Sequence, residues 1–149
     1  MNEARIREHR SESVEQTLHV GRTIAREITM GDLVLIDGDL GAGKTTLTRG
    51  IADGLGIDPD QVSSPTYTIC REHELEDGCS MIHVDAWRIE SSEDLDSIGW
   101  DEFAGSKNTI VVVEWAKRLN LPSDSPRMQV DLEHIGEQGR LIRVSLPRS

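Results

Sequence analysis

The sequence predicts an α/β protein, a three-layer sandwich whose central parallel sheet carries added antiparallel strands. Three observations lead there. The apolar run Leu33 to Ile36 passes through a glycine-rich stretch, GDLGAGKTT, into the helical spacing Leu47, Ile51 and Leu55. The uninterrupted β-branched run TIVVVE at Thr109 to Glu114 has the pattern of a strand in the middle of a sheet covered on both faces. Hydrophobic residues make up 36% of the chain, yet three Trp, one Tyr and one Phe are its only large aromatics, so Val, Ile, Leu and Ala must fill the core. A length of 149 residues fits one domain.

Taken in order, residues 1–12 are polar and are expected as a flexible tail, with Arg5, Arg7 and Arg10 solvated. From Val14 to Ile28, the residues Val14, Leu18, Ala25 and Ile28 fall at helical spacing, Ser13 and Gln16 can form a capping box, and Gly31 ends the segment. Leu33 to Ile36 is a short buried strand. Lys44 to Leu55 is a helix, closed by Gly56. Ser63 to Tyr67 is a loop around Pro65, and Thr66 to Glu74 alternates as an outer strand. Asp77-Gly78 signals a hairpin turn, with Met81 to Asp85 as the returning strand. Ser91 to Phe103 predicts one or two short acidic helices broken at Gly99. After the Thr109 to Glu114 strand and a loop with Pro122 and Pro126, Met128 to His134 and Leu141 to Leu146 form a terminal hairpin across Gly136 to Gly139.

Composition narrows the function classes. The formal charge of −11 disfavours tight direct binding of nucleic acid, whose phosphates need a basic patch. No apolar run approaches the roughly 20 residues of a membrane span, and the charged start MNEARIREHR lacks the apolar middle of a secretory signal, so a cytoplasmic location is expected. Cys70 and Cys79 lack metal-ligand spacing and are expected as ordinary strand residues.

The chemistry concentrates at Gly38, Gly43, Lys44 and Thr45, which match the phosphate-binding pattern GxxxxGK[ST], with a strand before and a helix after it. That context makes the sandwich P-loop NTPase-like. Glycines let the backbone curl so that its N–H groups point at phosphate oxygens, and the helix N-terminus adds positive potential there. Asp39, Leu40, Gly41, Ala42, Gly43, Lys44, Thr45 and Thr46 form the expected nucleotide-binding set. Lys44 would bridge the β and γ phosphates while packing little, and the Thr45 hydroxyl would take one position on Mg²⁺. Such a site needs an acid at the end of a neighbouring strand. Glu114 and Asp85 are the two candidates: Glu114, ending the strongest strand, is assigned to the metal and Asp85 to orienting the attacking water. In the loop Ser63 to Tyr67, Ser64 and Thr66 offer hydroxyls that could sense the γ-phosphate, and His83 is expected to pack or hydrogen-bond locally.

GDLGAGKTT at Gly38 to Thr46, SPTY at Ser64 to Tyr67, HVDAWR at His83 to Arg88 and VEW at Val113 to Trp115 together resemble the TsaE family, whose pattern continues after the P-loop as SPT-[FY], H-x-D-x-Y-R and E-W-P. Trp87 stands where that family usually has Tyr, and Ala116 where it has Pro. The resemblance spans the chain from Thr17 to the final hairpin and implies that Thr17 lies near the nucleotide base. It further implies an ATPase, slow alone, that uses ATP and Mg²⁺ to support TsaB and TsaD homologues in forming threonylcarbamoyladenosine on tRNA, with the tRNA held by those partners. A small-molecule kinase would usually need more chain for an acceptor pocket and a lid. A GTPase would carry an Asn-Lys-x-Asp signature, which is lacking here.

Overall fold

The structure, a computed structural model, describes residues 5–39, 43–62, 70–104, 106–119 and 128–146. Its strands are β1 (Arg5–Ser11), β2 (Leu33–Gly38), β3 (Cys70–Glu74), β4 (Ser80–Asp85), β5 (Thr109–Glu114), β6 (Met128–Ile135) and β7 (Gly139–Leu146). The helices are α1 (Val14–Ala25), α2 (Lys44–Gly54), α3 (Ser92–Ser97) and α4 (Trp100–Phe103). One seven-stranded sheet has the order β1-β7-β6-β2-β5-β4-β3. The four strands β6, β2, β5 and β4 run parallel, while β3 at one edge and β7 with β1 at the other are antiparallel additions.

Alternation along the parallel strands divides the core into two layers, because successive side chains point to opposite faces. Val34, Ile36, Met81, Ile110, Val112 and Val130 pack on one face against Val20 and Ile24 of α1 and Leu47 and Ile51 of α2. On the other face Leu35, Ile82, Val84, Val111 and Val113 meet Trp100 of α4, Ile89 and Leu119. Every residue of β5 is buried. The predicted three-layer sandwich is the observed one, with β2 holding the central place and β5 beside it.

Several elements differ from expectation. The polar start is no tail where it is described: Arg5–Ser11 pairs along its length with β7, from Arg5 opposite Leu146 to Ser11 opposite Arg140. Arg7 is bonded to Glu27, and Arg143 of β7 reaches Glu8 at 2.8 Å. Helix α1 ends three residues early, at Ala25, and its buried face is Thr17, Val20, Gly21, Ile24 and Ala25, leaving Val14 exposed. Ser13 caps α1 by accepting from the N–H of Gln16, but Gln16 reaches back to Glu12 instead of to the cap residue. Asp77 (φ 60°) and Gly78 (φ 76°) turn β3 into β4, and Gly99 (φ 83°) separates α3 from α4 as predicted. Cys79 precedes β4 instead of lying in it.

Helices α1 and α2 cross at Gly21 and Gly50. A Cβ on Gly50 would lie 2.4 Å from Leu18 O and 3.0 Å from Gly21 Cα, both backbone atoms that cannot swing away. Helix propensity alone would favour Ala over Gly by roughly 1 kcal/mol, whereas overpacking costs about 1–3 kcal/mol. Gly50→Ala is therefore expected to lower stability, seen as a reduced urea midpoint with unchanged slope; a midpoint equal to or above wild type would contradict the close crossing.

Candidate functional site

The C-terminal ends of β2, β4 and β5 converge on the N-terminus of α2, the place where open parallel sheets hold ligands. Gly43, at the N-cap of α2, has φ 99°, a left-handed conformation that strains any residue with a Cβ. Among the described residues no side chain caps α2 there. Its first turn thus keeps the dipole and N–H groups that favour an anion.

Lys44 opens α2 but its side chain folds back: Nζ donates to Gly38 O at 2.7 Å and to Asp39 O at 2.9 Å, and sits 3.7 Å from the centre of the Trp115 ring. The residue is only 5% exposed, so the expectation that it packs little is corrected. Burial pushes the ammonium below the usual lysine range, while Glu114, Asp37, Asp39 and Asp85 pull it back up. Four acids thus surround the lysine at the point where phosphate oxygens would arrive.

Thr45 Oγ1 donates to Glu114 Oε1 at 3.0 Å across the gap between α2 and β5. The second carboxylate oxygen, Oε2, lies 2.5 Å from His83 Nε2. Glu114 and His83 are 2% and 0% exposed. Asp85 is the register partner of Glu114 on the adjacent parallel strand, so strand order brings side by side two acids that are 29 positions apart in sequence. Burial raises the Asp85 carboxyl above its ordinary value, opposed by the hydrogen bond from the Trp87 N–H and reinforced by the charge of Glu114. Among the described residues no three His, Cys, Asp or Glu side chains cluster tightly enough to hold a metal by themselves. One hydroxyl and one carboxylate suit Mg²⁺, which keeps its waters and takes phosphate oxygens.

Asp37, at the end of β2, was not singled out by sequence reasoning. It is 6% exposed, accepts from Lys117 N at 2.9 Å and from Gln129 Nε2 at 2.8 Å, and so ties the turn after β5 to β6. The signal was an acid ending the apolar strand LVLID. The turn it holds contains Trp115, a non-glycine residue at φ 60°. Trp115 packs on Trp87 with ring centres 4.5 Å apart, and Arg118 lies 5.2 Å from the Trp87 ring. An aromatic wall thereby covers Lys44 on the side of β4 and β5.

On the opposite side Thr17 is 4% exposed, and its hydroxyl pairs at 2.6 Å with Ser11, the last residue of β1. Ser11 is a second residue missed by the sequence, because the strand it ends was expected as a tail. Thr17, Gly43 and Thr46 line a cavity of about 370 Å³ whose walls include Glu12, Glu137 and Arg140. The structure thus brings Thr17, Gly43, Lys44, Thr45, Thr46, Asp85 and Glu114 around one helix end. Asp39 follows β2 with its carbonyl on Lys44. Leu40, Gly41 and Ala42, and the Ser64 to Tyr67 loop, lie outside the described residues.

The sequence model of one family, Threonylcarbamoyl adenosine biosynthesis protein TsaE, matches residues 11–142. A tRNA threonylcarbamoyladenosine biosynthesis protein TsaE from Streptomyces coelicolor is 40% identical over 116 residues, covering 75% of this chain and 76% of its own. The Bacillus subtilis protein of the same name is 38% identical over 135 residues, covering 89% and 81%. A crystal structure of Bacillus subtilis YdiB superposes with a TM-score of 0.75 at 30% identity, covering 97% of this chain and 87% of that one.

Proposed function

This chain belongs to the TsaE family, whose name places it in tRNA threonylcarbamoyladenosine biosynthesis, and from that premise we propose that it is a P-loop ATPase binding ATP with Mg²⁺ at the N-terminus of α2. The observation that carries this reading is the Thr45–Glu114 pair, 3.0 Å apart beside the buried Lys44 ammonium. A hydroxyl joined to an acid from the neighbouring strand, next to a captive cation and an uncapped helix, suits a nucleoside triphosphate and its metal better than any uncharged ligand.

Lys44 leaves the Gly38 and Asp39 carbonyls to meet β and γ phosphate oxygens, and the first N–H groups of α2 hold the same oxygens. Thr45 and Glu114 would hold Mg²⁺, which would supply charge neutralisation at the phosphates. Asp85, beside Glu114 at the end of the neighbouring strand, accepts a hydrogen bond from the attacking water. Thr17 and the cavity next to Gly43 receive the nucleoside. By family resemblance, TsaB and TsaD homologues are the partners, and they carry the tRNA that a chain of charge −11 would repel. The cytoplasm is the compartment in which such a cycle operates. No helix among the described residues is long and apolar enough to cross a membrane.

The test is steady-state turnover of ATP by the purified chain, alone and with TsaB and TsaD homologues, together with the yield of threonylcarbamoyladenosine on tRNA. Slow turnover alone, a rise with the partners, loss on chelating Mg²⁺ and no support by GTP are expected. Absence of any ATP binding, or full tRNA modification without this chain, would overturn the proposal.

A further inference from the structure

His83 is not part of the proposed chemistry, yet it is the most buried titratable side chain beside it, at 0% exposure. In the parallel pairing of β4 and β5 it stands opposite Val112, one step diagonal to Glu114, on the sheet face that α2 covers. Its Nε2 lies 2.5 Å from Glu114 Oε2, while Thr45 Oγ1 takes Oε1 of the same carboxylate. His83 Nδ1 is buried with no hydrogen-bond partner among the described residues. A carboxylate accepts, so the ring hydrogen belongs on Nε2, and the bare Nδ1 lone pair is the lesser cost compared with a bare N–H.

A buried imidazole carrying one unsatisfied nitrogen costs stability that an apolar residue of similar size would not. The strand around it is apolar, with Met81, Ile82 and Val84 all buried, and would accept such a residue. What the histidine supplies instead is a fixed donor for one oxygen of Glu114. A carboxylate held at one oxygen only is free to rotate about its last bond, whereas one pinned at Oε2 keeps Oε1 turned toward Thr45. We propose that His83 is a positioning residue: its Nε2–H clamps Glu114 so that the free edge of the carboxylate faces Thr45 at the start of α2. This rests on the reading of Glu114 as the acid that serves Mg²⁺, and it adds the group that orients that acid. Outer partners of this kind typically change metal affinity by about 10–100-fold when removed.

The test measures ATP affinity by equilibrium titration with and without Mg²⁺, so that the readout is the gain in affinity the metal confers and not turnover. Wild type is compared with His83→Leu, which removes the donor; with His83→Asn, whose amide is too short to reach Oε2; and with His83→Gln, whose amide has the reach of Nε2. The metal-conferred gain is expected to fall about tenfold in the Leu and Asn variants and to recover to within about threefold of wild type in the Gln variant, while metal-free ATP affinity stays constant throughout. Should His83→Leu not fold, the Asn and Gln pair decides the matter alone, because the two differ by one methylene and share the same polarity. An undiminished metal gain in Asn, or an equal loss in Asn and Gln, overturns the positioning role. If wild type itself shows no metal-conferred gain, the assignment of Glu114 to Mg²⁺ fails, a result distinguishable from failure of the clamp.

Discussion

Lys44→Ala is expected to weaken ATP binding by about one to two orders of magnitude and to bring turnover to background. A hydrogen bond from a charged donor is worth roughly 1.5–3 kcal/mol, and each 1.4 kcal/mol is about tenfold in affinity. The same change removes the partner of two loop carbonyls and the cation that offsets Glu114, Asp37, Asp39 and Asp85. Stability is therefore expected to fall as well, which confounds a binding measurement made on the alanine variant alone. Lys44→Met narrows the ambiguity, since it keeps most of the aliphatic stem packed beside Trp115 while removing the ammonium with its charge and its two hydrogen bonds. Both variants should lose ATP, and the Met variant should melt closer to wild type. A folded Met variant that binds ATP as tightly as wild type would show that the α2 N-terminus is not the phosphate site.

Much of the fold was legible because strands β2 and β5 are buried on both faces and leave nearly continuous apolar runs. TIVVVE was placed to the residue, and the strand before the glycine-rich stretch and the helix after it were read in order. Edge strand β1 left no such mark. RIREHRS is exposed along most of its length, even Ile6 at 61%, and is held by backbone pairing with β7 and by ion pairs to Glu27 and Arg143. An element fixed by its backbone needs no hydrophobic periodicity. Helix α1 misled in another way. Its packing face is built from Thr17 and Gly21 as much as from Val20 and Ile24, since close approach to Gly50 demands small residues where the pattern search looks for large ones.

The candidate site divides along the same line. Lys44, Thr45 and Glu114 could be named from motif and strand end, because local sequence determines where they sit. The proximity of Asp85 to Glu114 follows from β4 lying beside β5, and the bond of His83 to Glu114 follows from that same register; neither is encoded by spacing along the chain. Asp37 shows how a structural acid can resemble a catalytic one. It too ends a buried strand, but both its oxygens are taken by Lys117 N and Gln129, so its part is to hold the Trp115 turn over Lys44.

Glu114→Gln is expected to remove most of the Mg²⁺ dependence, and to do so far more than Asp85→Asn. The amide keeps the volume of the carboxylate and can still accept from Thr45, so the sheet and α2 stay in place. What is lost is the negative charge opposite Thr45, and on the His83 side an N–H would now face an N–H donor across a 2.5 Å gap. Amide rotation relieves that clash by turning the N–H toward Thr45 Oγ1, a hydroxyl that can accept it, so both contacts survive and the lasting loss is the negative charge. Asp85 has a different environment: it is partly exposed, its carboxyl is raised by burial, and its Oδ1 accepts from the Trp87 N–H, a bond that Asn retains. Titrating ATP turnover with Mg²⁺ should show the half-saturating metal concentration rising by about 10–100-fold in Glu114→Gln. Asp85→Asn should leave that concentration within about threefold while lowering turnover at saturating metal by roughly 100-fold, the scale of lost general-base assistance. If the Asp85 change alone shifts the metal titration, the two acids exchange roles, and Asp85 becomes the residue that serves the metal.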